Sequence, residues 1–233
     1  MGKSHHIRSR AASRFFKATK HSEEQATPLN RLVTLNLSHT TCPEQAASAA
    51  VASLIAKFGR WLRHQSKKIE AAGRVDFGPP AYSAVLEAPG GINHAHWLVY
   101  VPPELENLFI KTLPKWLEKT AGTIVTPVGA IDVTPIDTIM ALSRYCMKGV
   151  EKHHAKRCFV RPVDQGVVWG KRVLISRSLG ATARARARRV TVPGRSCATG
   201  SASPAGLTMS PVPLKPSIPI DYTTSTNTGG PPF

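Results

Sequence analysis

Acidic residues are scarce in this chain. Its 233 residues include 14 Asp or Glu against 31 Lys or Arg, giving a formal net charge of +17 and a pI near 10.3. That balance favours a polyanionic partner such as nucleic acid. A solvated basic surface, or a protein of a ribosome-like assembly, has the same signature. Cysteine is scarce too. Cys42, Cys146, Cys158 and Cys197 are scattered, with no Cys-x-x-Cys pair. That spacing argues against a zinc ribbon, a redox pair or a disulfide framework, and fits a reducing, cytoplasmic setting. No apolar stretch is long enough to span a bilayer, so no membrane association is expected. The basic N-terminus lacks the apolar run of a secretory signal. There is no internal repeat. There is also no Walker phosphate loop: Gly166-Val167-Val168-Trp169-Gly170-Lys171-Arg172 lacks its spacing and its Ser/Thr.

What is present is enough apolar sequence, 42%, for one domain with a core, plus tails. Residues 1–30 carry Lys3, Arg8, Arg10, Arg14, Lys17 and Lys20 and predict a basic, flexible arm. Residues 181–233 open with Arg184-Ala185-Arg186-Ala187-Arg188-Arg189 and become rich in Pro, Ser, Thr and Gly, which predicts a disordered tail. The core, 31–180, begins with a β-like run at 32–38. Thr41-Cys42-Pro43-Glu44 fits a capping box for a helix with Val51, Leu54, Ile55, Phe58 and Leu62 on one face, ending near Gly73. A strand over 81–88, the turn Pro89-Gly90-Gly91 and a strand through 93–101 make a hairpin. A helix near Leu105 follows, with Pro114 expected to kink or split it. A short strand near 123–128 or 130–133 comes next. A last helix is predicted from Pro135 to about Lys152. The order β-α-β-β-α-β-α implies an α+β domain, a central antiparallel sheet with flanking helices.

His94-Ala95-His96 sits on the second hairpin strand. Alternate residues of a strand share a face, so both imidazoles project to one side and suit one metal ion. Glu87, across the turn, is the candidate third ligand, expected opposite Ala95 or His96 at about 5 Å. Two imidazoles and a carboxylate leave positions open for a phosphate oxygen. Magnesium or manganese fits that chemistry. An isolated His-x-His pair also packs or hydrogen-bonds on a half-buried strand with no metal at all. Tyr145 and Lys148, one turn apart on the predicted helix, would share a face. A tyrosine can form a covalent phosphodiester intermediate. Its ordinary pKa, about 10, calls for a cation nearby, and Lys148 could stabilise phenolate or pair with the phosphate. A core tyrosine and a snorkelling lysine are the ordinary alternative. Arg144, Lys152, Lys171 and Arg172 are candidate DNA contacts on charge alone.

Three motifs in order resemble the HUH endonuclease superfamily, in particular the single-tyrosine rolling-circle replication initiators of bacterial and plasmid type. Leu32-Val33-Thr34-Leu35-Asn36-Leu37 is similar to the first motif strand, His94-Ala95-His96 to the metal motif, and Tyr145-Cys146-Met147-Lys148 to the tyrosine motif. Trp169–Ser176 resembles a stretch that follows the tyrosine helix. The resemblance implies an RRM-like palm with metal and tyrosine on one face of the sheet. It implies nicking of single-stranded DNA at an origin hairpin, with a 5′-phosphotyrosyl link and a freed 3′-hydroxyl that primes synthesis. A host helicase and polymerase would be partners, since no nucleotide-binding loop is present. A relaxase or transposase uses the same chemistry. A non-catalytic module would instead bind strands by charge and by stacking on Trp97 or Tyr100.

Overall fold

Period-two alternation in four strands and a helical stripe in two long helices set the architecture. A computed structural model describes residues 2–25, 28–71 and 77–191. The chain divides into two units, Met1–Pro193 and Gly194–Phe233. The second lies outside the described residues, as do most of the predicted disordered tail and the helix stop expected at Gly73. In chain order the elements are β1 (Lys3–Ser4), α1 (Ser9–Glu23), β2 (Arg31–Asn36), α2 (Ala47–Ala71), β3 (Tyr82–Glu87), β4 (His94–Val99), α3 (Glu106–Ala121), β5 (Ile131–Pro135), α4 (Ile139–Cys146), α5 (Lys152–Ala155), β6 (Val168–Trp169), β7 (Val173–Ile175) and α6 (Ala181–Thr191).

The fold is α+β. Five strands form an antiparallel sheet in the order β5-β2-β4-β3-β7. The stretch β2-α2-β3-β4-α3-β5 has the split βαβ arrangement: β4 lies between β2 and β3, and β2 between β4 and β5. One face carries Val33, Leu35, Ala84, Leu86, Ala95, Trp97 and Val99, packed with Leu54, Phe58 and Leu62 of α2 and Phe109, Leu113 and Trp116 of α3. Phe58 stands edge-on to Trp97 at 5.2 Å and to Phe109 at 5.6 Å between ring centroids. Trp97 is thus fully buried on this face and is no platform for a nucleotide base.

The opposite face carries Thr34, Val85, Glu87, His94, His96 and Leu98. It is covered by α1 and α4 through Ala12, Phe15, Ala18, Ile139, Cys146 and Met147. Among the described residues no helix is long and apolar enough to cross a membrane.

Several expectations are corrected. The N-terminal segment is no loose arm. Ala12, Phe15, Ala18, Thr19 and Ser22 make a buried helical stripe while the cations face outward. Full burial of Phe15 alone is worth about 1.5–3 kcal/mol. Ahead of the helix, β1 pairs with β6, and Ile7 N–H donates to Gly149 O at 2.8 Å. The tail does not start disordered either. α6 begins at Ala181, as the good helix formers Ala and Arg allow, and Arg184 Nη1 donates to Leu179 O at 2.6 Å. The capping box at Thr41 does not form. Thr41 N–H goes to Thr123 O at 3.0 Å, and a 3₁₀ turn at Glu44–Ala46 leads into α2. Pro114 does not split α3, which runs from Glu106 to Ala121. The uncertain strand is β5, and it extends through Pro135, so the last helix begins only at Ile139 and ends at Cys146.

Candidate active site

Strand register brings the site residues into two rows. Asn36, His94 and Glu87 face one another across β2, β4 and β3, and Thr34, His96 and Val85 form the next row. Glu87 is therefore opposite His94, not Ala95 or His96 as expected. The connection is the 3₁₀ turn Pro89–Gly91, with Gly90 and Gly91 both at positive φ, and the pairing is centred on Gly90-Gly91, so that counting outward from the two glycines puts His94 opposite Glu87. Glu87 still reaches His96 on the diagonal, a distance long side chains can bridge. His96 Nε2 donates to Glu87 Oε1 at 2.9 Å, and Nδ1 lies 3.3 Å from Thr34 Oγ1. His96 and Glu87 are both buried, while His94 is half-buried.

Tyr145 and Lys148 join this pair, though not as two residues of one helix. Met147 caps α4 and Lys148 lies in the turn beyond it. The turn is tight enough for Lys148 N–H to donate to Tyr145 O at 3.2 Å, which keeps the side chains together. The Lys148 ammonium lies 4.1 Å from the Tyr145 ring centroid and 3.2 Å from Glu87 Oε1. The Tyr145 ring stands edge-on to His96 at 5.2 Å, and its side of the site is open, with Tyr145 40% exposed. Imidazole, carboxylate, ammonium and phenol thus form one cluster on the sheet face beneath α4.

The electrostatics follow from that packing. Burial pushes the Glu87 carboxyl up, but the hydrogen bond and charge of His96, with Lys148, outweigh it and hold it below its ordinary value. Burial lowers His94, assisted by the charges of His96, Lys148 and His39 against the pull of Glu87. A neutral His94 is the form that binds metal. Lys148 is lowered by burial yet raised more strongly by Glu87 and Tyr145, so it stays an ammonium.

Among the described residues no three of His, Cys, Asp and Glu already stand as a metal-ligating group. The donor chemistry nevertheless fits a divalent cation. Glu87 Oε2 is buried and meets no hydrogen-bond partner within the protein, beside two imidazoles on the same face. Thr34 holds Nδ1 of His96, the kind of contact that orients a metal-binding imidazole, while Nε2 is engaged by Glu87 Oε1, so an ion would take the place of that hydrogen bond. Thr34 was not among the candidates; alternation separates it from Val33 and Leu35, and the pairing of β2 with β4 puts it opposite His96.

The charge-based DNA contacts divide. Arg172 is buried, 4% exposed. Its guanidinium donates to Ser4 O at 2.8 Å and 3.2 Å, to Gln165 O at 3.3 Å and to Gly166 O. It is a structural clamp and no DNA contact, because backbone carbonyls have taken its donors. The clamped loop meets the end of β3, where Ala88 N–H donates to Gln165 O at 2.9 Å. Gly166 has φ +59°, and a Cβ there would lie 1.7 Å from Ala88 O, so only glycine fits. Arg144, Lys152 and Lys171 are exposed. Arg144 lies over the Phe159 ring at 5.8 Å. Comparison with protein-family models, curated proteins and solved structures returned no match.

Proposed function

We propose that this protein is a metal-dependent nickase of single-stranded DNA that works through a 5′-phosphotyrosyl intermediate, as an HUH-type initiator of rolling-circle replication does. The observation that carries the reading is the 5.2 Å approach of Tyr145 to His96, with Glu87 and Lys148 tied to the same cluster. The α+β palm and the motif order support it.

His94, His96 and Glu87 would hold a magnesium or manganese ion, with Glu87 Oε2 as its free donor. Such an ion polarises a phosphate and neutralises the charge that builds on it. The remaining steps belong to the chain. The Tyr145 oxygen attacks phosphorus, a new P–O bond forms, and the bond to the 3′-oxygen breaks. The phenol proton is lost, and the departing 3′-oxygen gains one to become a hydroxyl. Lys148, over the Tyr145 ring and beside Glu87, offers its charge and a donor to the phosphate oxygens. One phosphodiester replaces another, so resealing needs no nucleotide. With one tyrosine in the motif, a second strand transfer would require another subunit or water.

The test is incubation with a labelled single-stranded pool carrying origin-type hairpins and manganese. We expect a covalent protein–DNA adduct that Tyr145→Phe abolishes and His96→Ala depresses. An undiminished adduct in Tyr145→Phe would remove Tyr145 from the chemistry. A metal-free strand-binding module is favoured by one observation: Glu87 Oε1 already serves His96 and Lys148. That reading predicts binding indifferent to chelator and to alanine at His94 and His96, with no adduct.

A further inference from the structure

The groove between α1 and α4 is built from two kinds of side chain. Phe16, Met140 and Phe159 supply apolar walls, and Lys17, Lys20, Arg144 and Arg157 supply cations. The opening holds about 490 Å³, within the range that seats a small organic ligand. Phe159 is unusual on two counts. It is 79% exposed, a rarity for so apolar a ring. Among the described residues it is also the one non-glycine residue with positive φ, at 52°, a strained conformation that clusters at ligand clamps. The Arg144 guanidinium covers its ring at 5.8 Å from one side. Arg144 adjoins Tyr145 on α4, and since successive side chains of a helix diverge by about 100°, the groove and the candidate nucleophile lie on neighbouring faces of one helix.

We propose that this groove seats one unpaired base of the bound single-stranded DNA, stacked on Phe159, with the flanking phosphates on Lys17, Lys20, Arg144 and Arg157. The proposal rests on the single-strand substrate of the nickase reading. Charge selects the occupant: four cations around a wall of rings suit a π-face carried on a polyanion. An acidic peptide would satisfy the cations and leave the rings without a partner.

The test uses the full chain carrying Tyr145→Phe, in chelator, so that binding is read with no cleavage and no metal. The probes are a 20-nucleotide thymidine strand and an abasic strand of the same length. We expect the thymidine strand to bind more tightly. Phe159→Asn removes the ring while keeping a residue that tolerates positive φ. It should weaken the thymidine strand about 5- to 150-fold and leave the abasic strand unchanged, and Phe159→Tyr should restore the difference. Arg157→Ala should weaken both strands alike and lower the salt slope by about one. Unchanged binding of both strands by Phe159→Asn would overturn the proposal. So would equal weakening of both, or competition by hexaglutamate as effective as that by a thymidine hexamer. The nickase reading stands or falls separately, on adduct formation with manganese in the chain that retains Tyr145.

Discussion

Arg172 gives the sharpest test of the fold around the site. Its guanidinium makes four hydrogen bonds onto the carbonyls of Ser4, Gln165 and Gly166 and joins β1 to the loop against β3. Arg172→Met keeps much of the stem and removes every donor, leaving the half-buried Ser4 and Gly166 carbonyls without it, while Gln165 O keeps the Ala88 N–H. At about 1 kcal/mol for each orphaned carbonyl, the loss is about 2 kcal/mol. That is roughly a 30-fold change in the folding equilibrium. For a folded unit of this size it corresponds to a Tm drop of about 4–8 °C. Arg172→Lys separates a clamp from a phosphate contact. A lysine preserves the charge that a phosphate needs and lacks the planar fork that spans three acceptors. We therefore expect urea unfolding of Arg172→Lys to fall most of the way to that of Arg172→Met. DNA affinity, measured well below both midpoints, should be unchanged in each. A stability loss under about 1 kcal/mol in Arg172→Met, or a full rescue by lysine, would refute the clamp.

Further outcomes follow from the same geometry. Thr34→Val frees His96 Nδ1 and should weaken manganese affinity about 10- to 100-fold with the far-ultraviolet circular dichroism unchanged; isothermal titration reads it. Glu87 has a folded pKa held below its ordinary value of 4.5, so the carboxylate contributes stability above that value and loses it as pH falls through the folded pKa. Urea midpoints between pH 3 and 7 should show this acid-side slope in the wild type and a flatter one in Glu87→Gln; equal slopes would contradict the assignment. Phe15→Ala should cost about 3–5 kcal/mol by undocking α1, and a cost below 1 kcal/mol would return the segment to a loose arm.

The hairpin, the two long helices and the shared face of the two histidines were legible because each rests on local periodicity, whereas the meeting of Tyr145 and Lys148 with that face was implied only by the family resemblance. Alternation put the histidines on one face, and the short spacing from Tyr145 to Lys148 survived the loss of the helix between them. What the sequence concealed depends on partners far along the chain. In α1 the charged residues fill the exposed positions, and the buried stripe is made largely of Ala, Thr and Ser, residues that carry little hydrophobic signal. Arg172 read as surface charge because its acceptors are backbone carbonyls, which no side-chain pattern announces. The partner row of Glu87, by contrast, was within reach of the sequence, since counting outward from Gly90-Gly91 pairs Glu87 with His94. Thr34 gained its place only once β2 was paired with β4.

The account stands on Tyr145 as the atom donor to phosphorus. The direct measurement is digestion of the manganese-incubated protein–DNA mixture and mass mapping of the nucleotide-bearing peptide. The account predicts a nucleotide on the peptide containing Tyr145, lost on chelation. A nucleotide on Tyr82, Tyr100 or Tyr222, or no nucleotide on any peptide while the strand is cut, would contradict it.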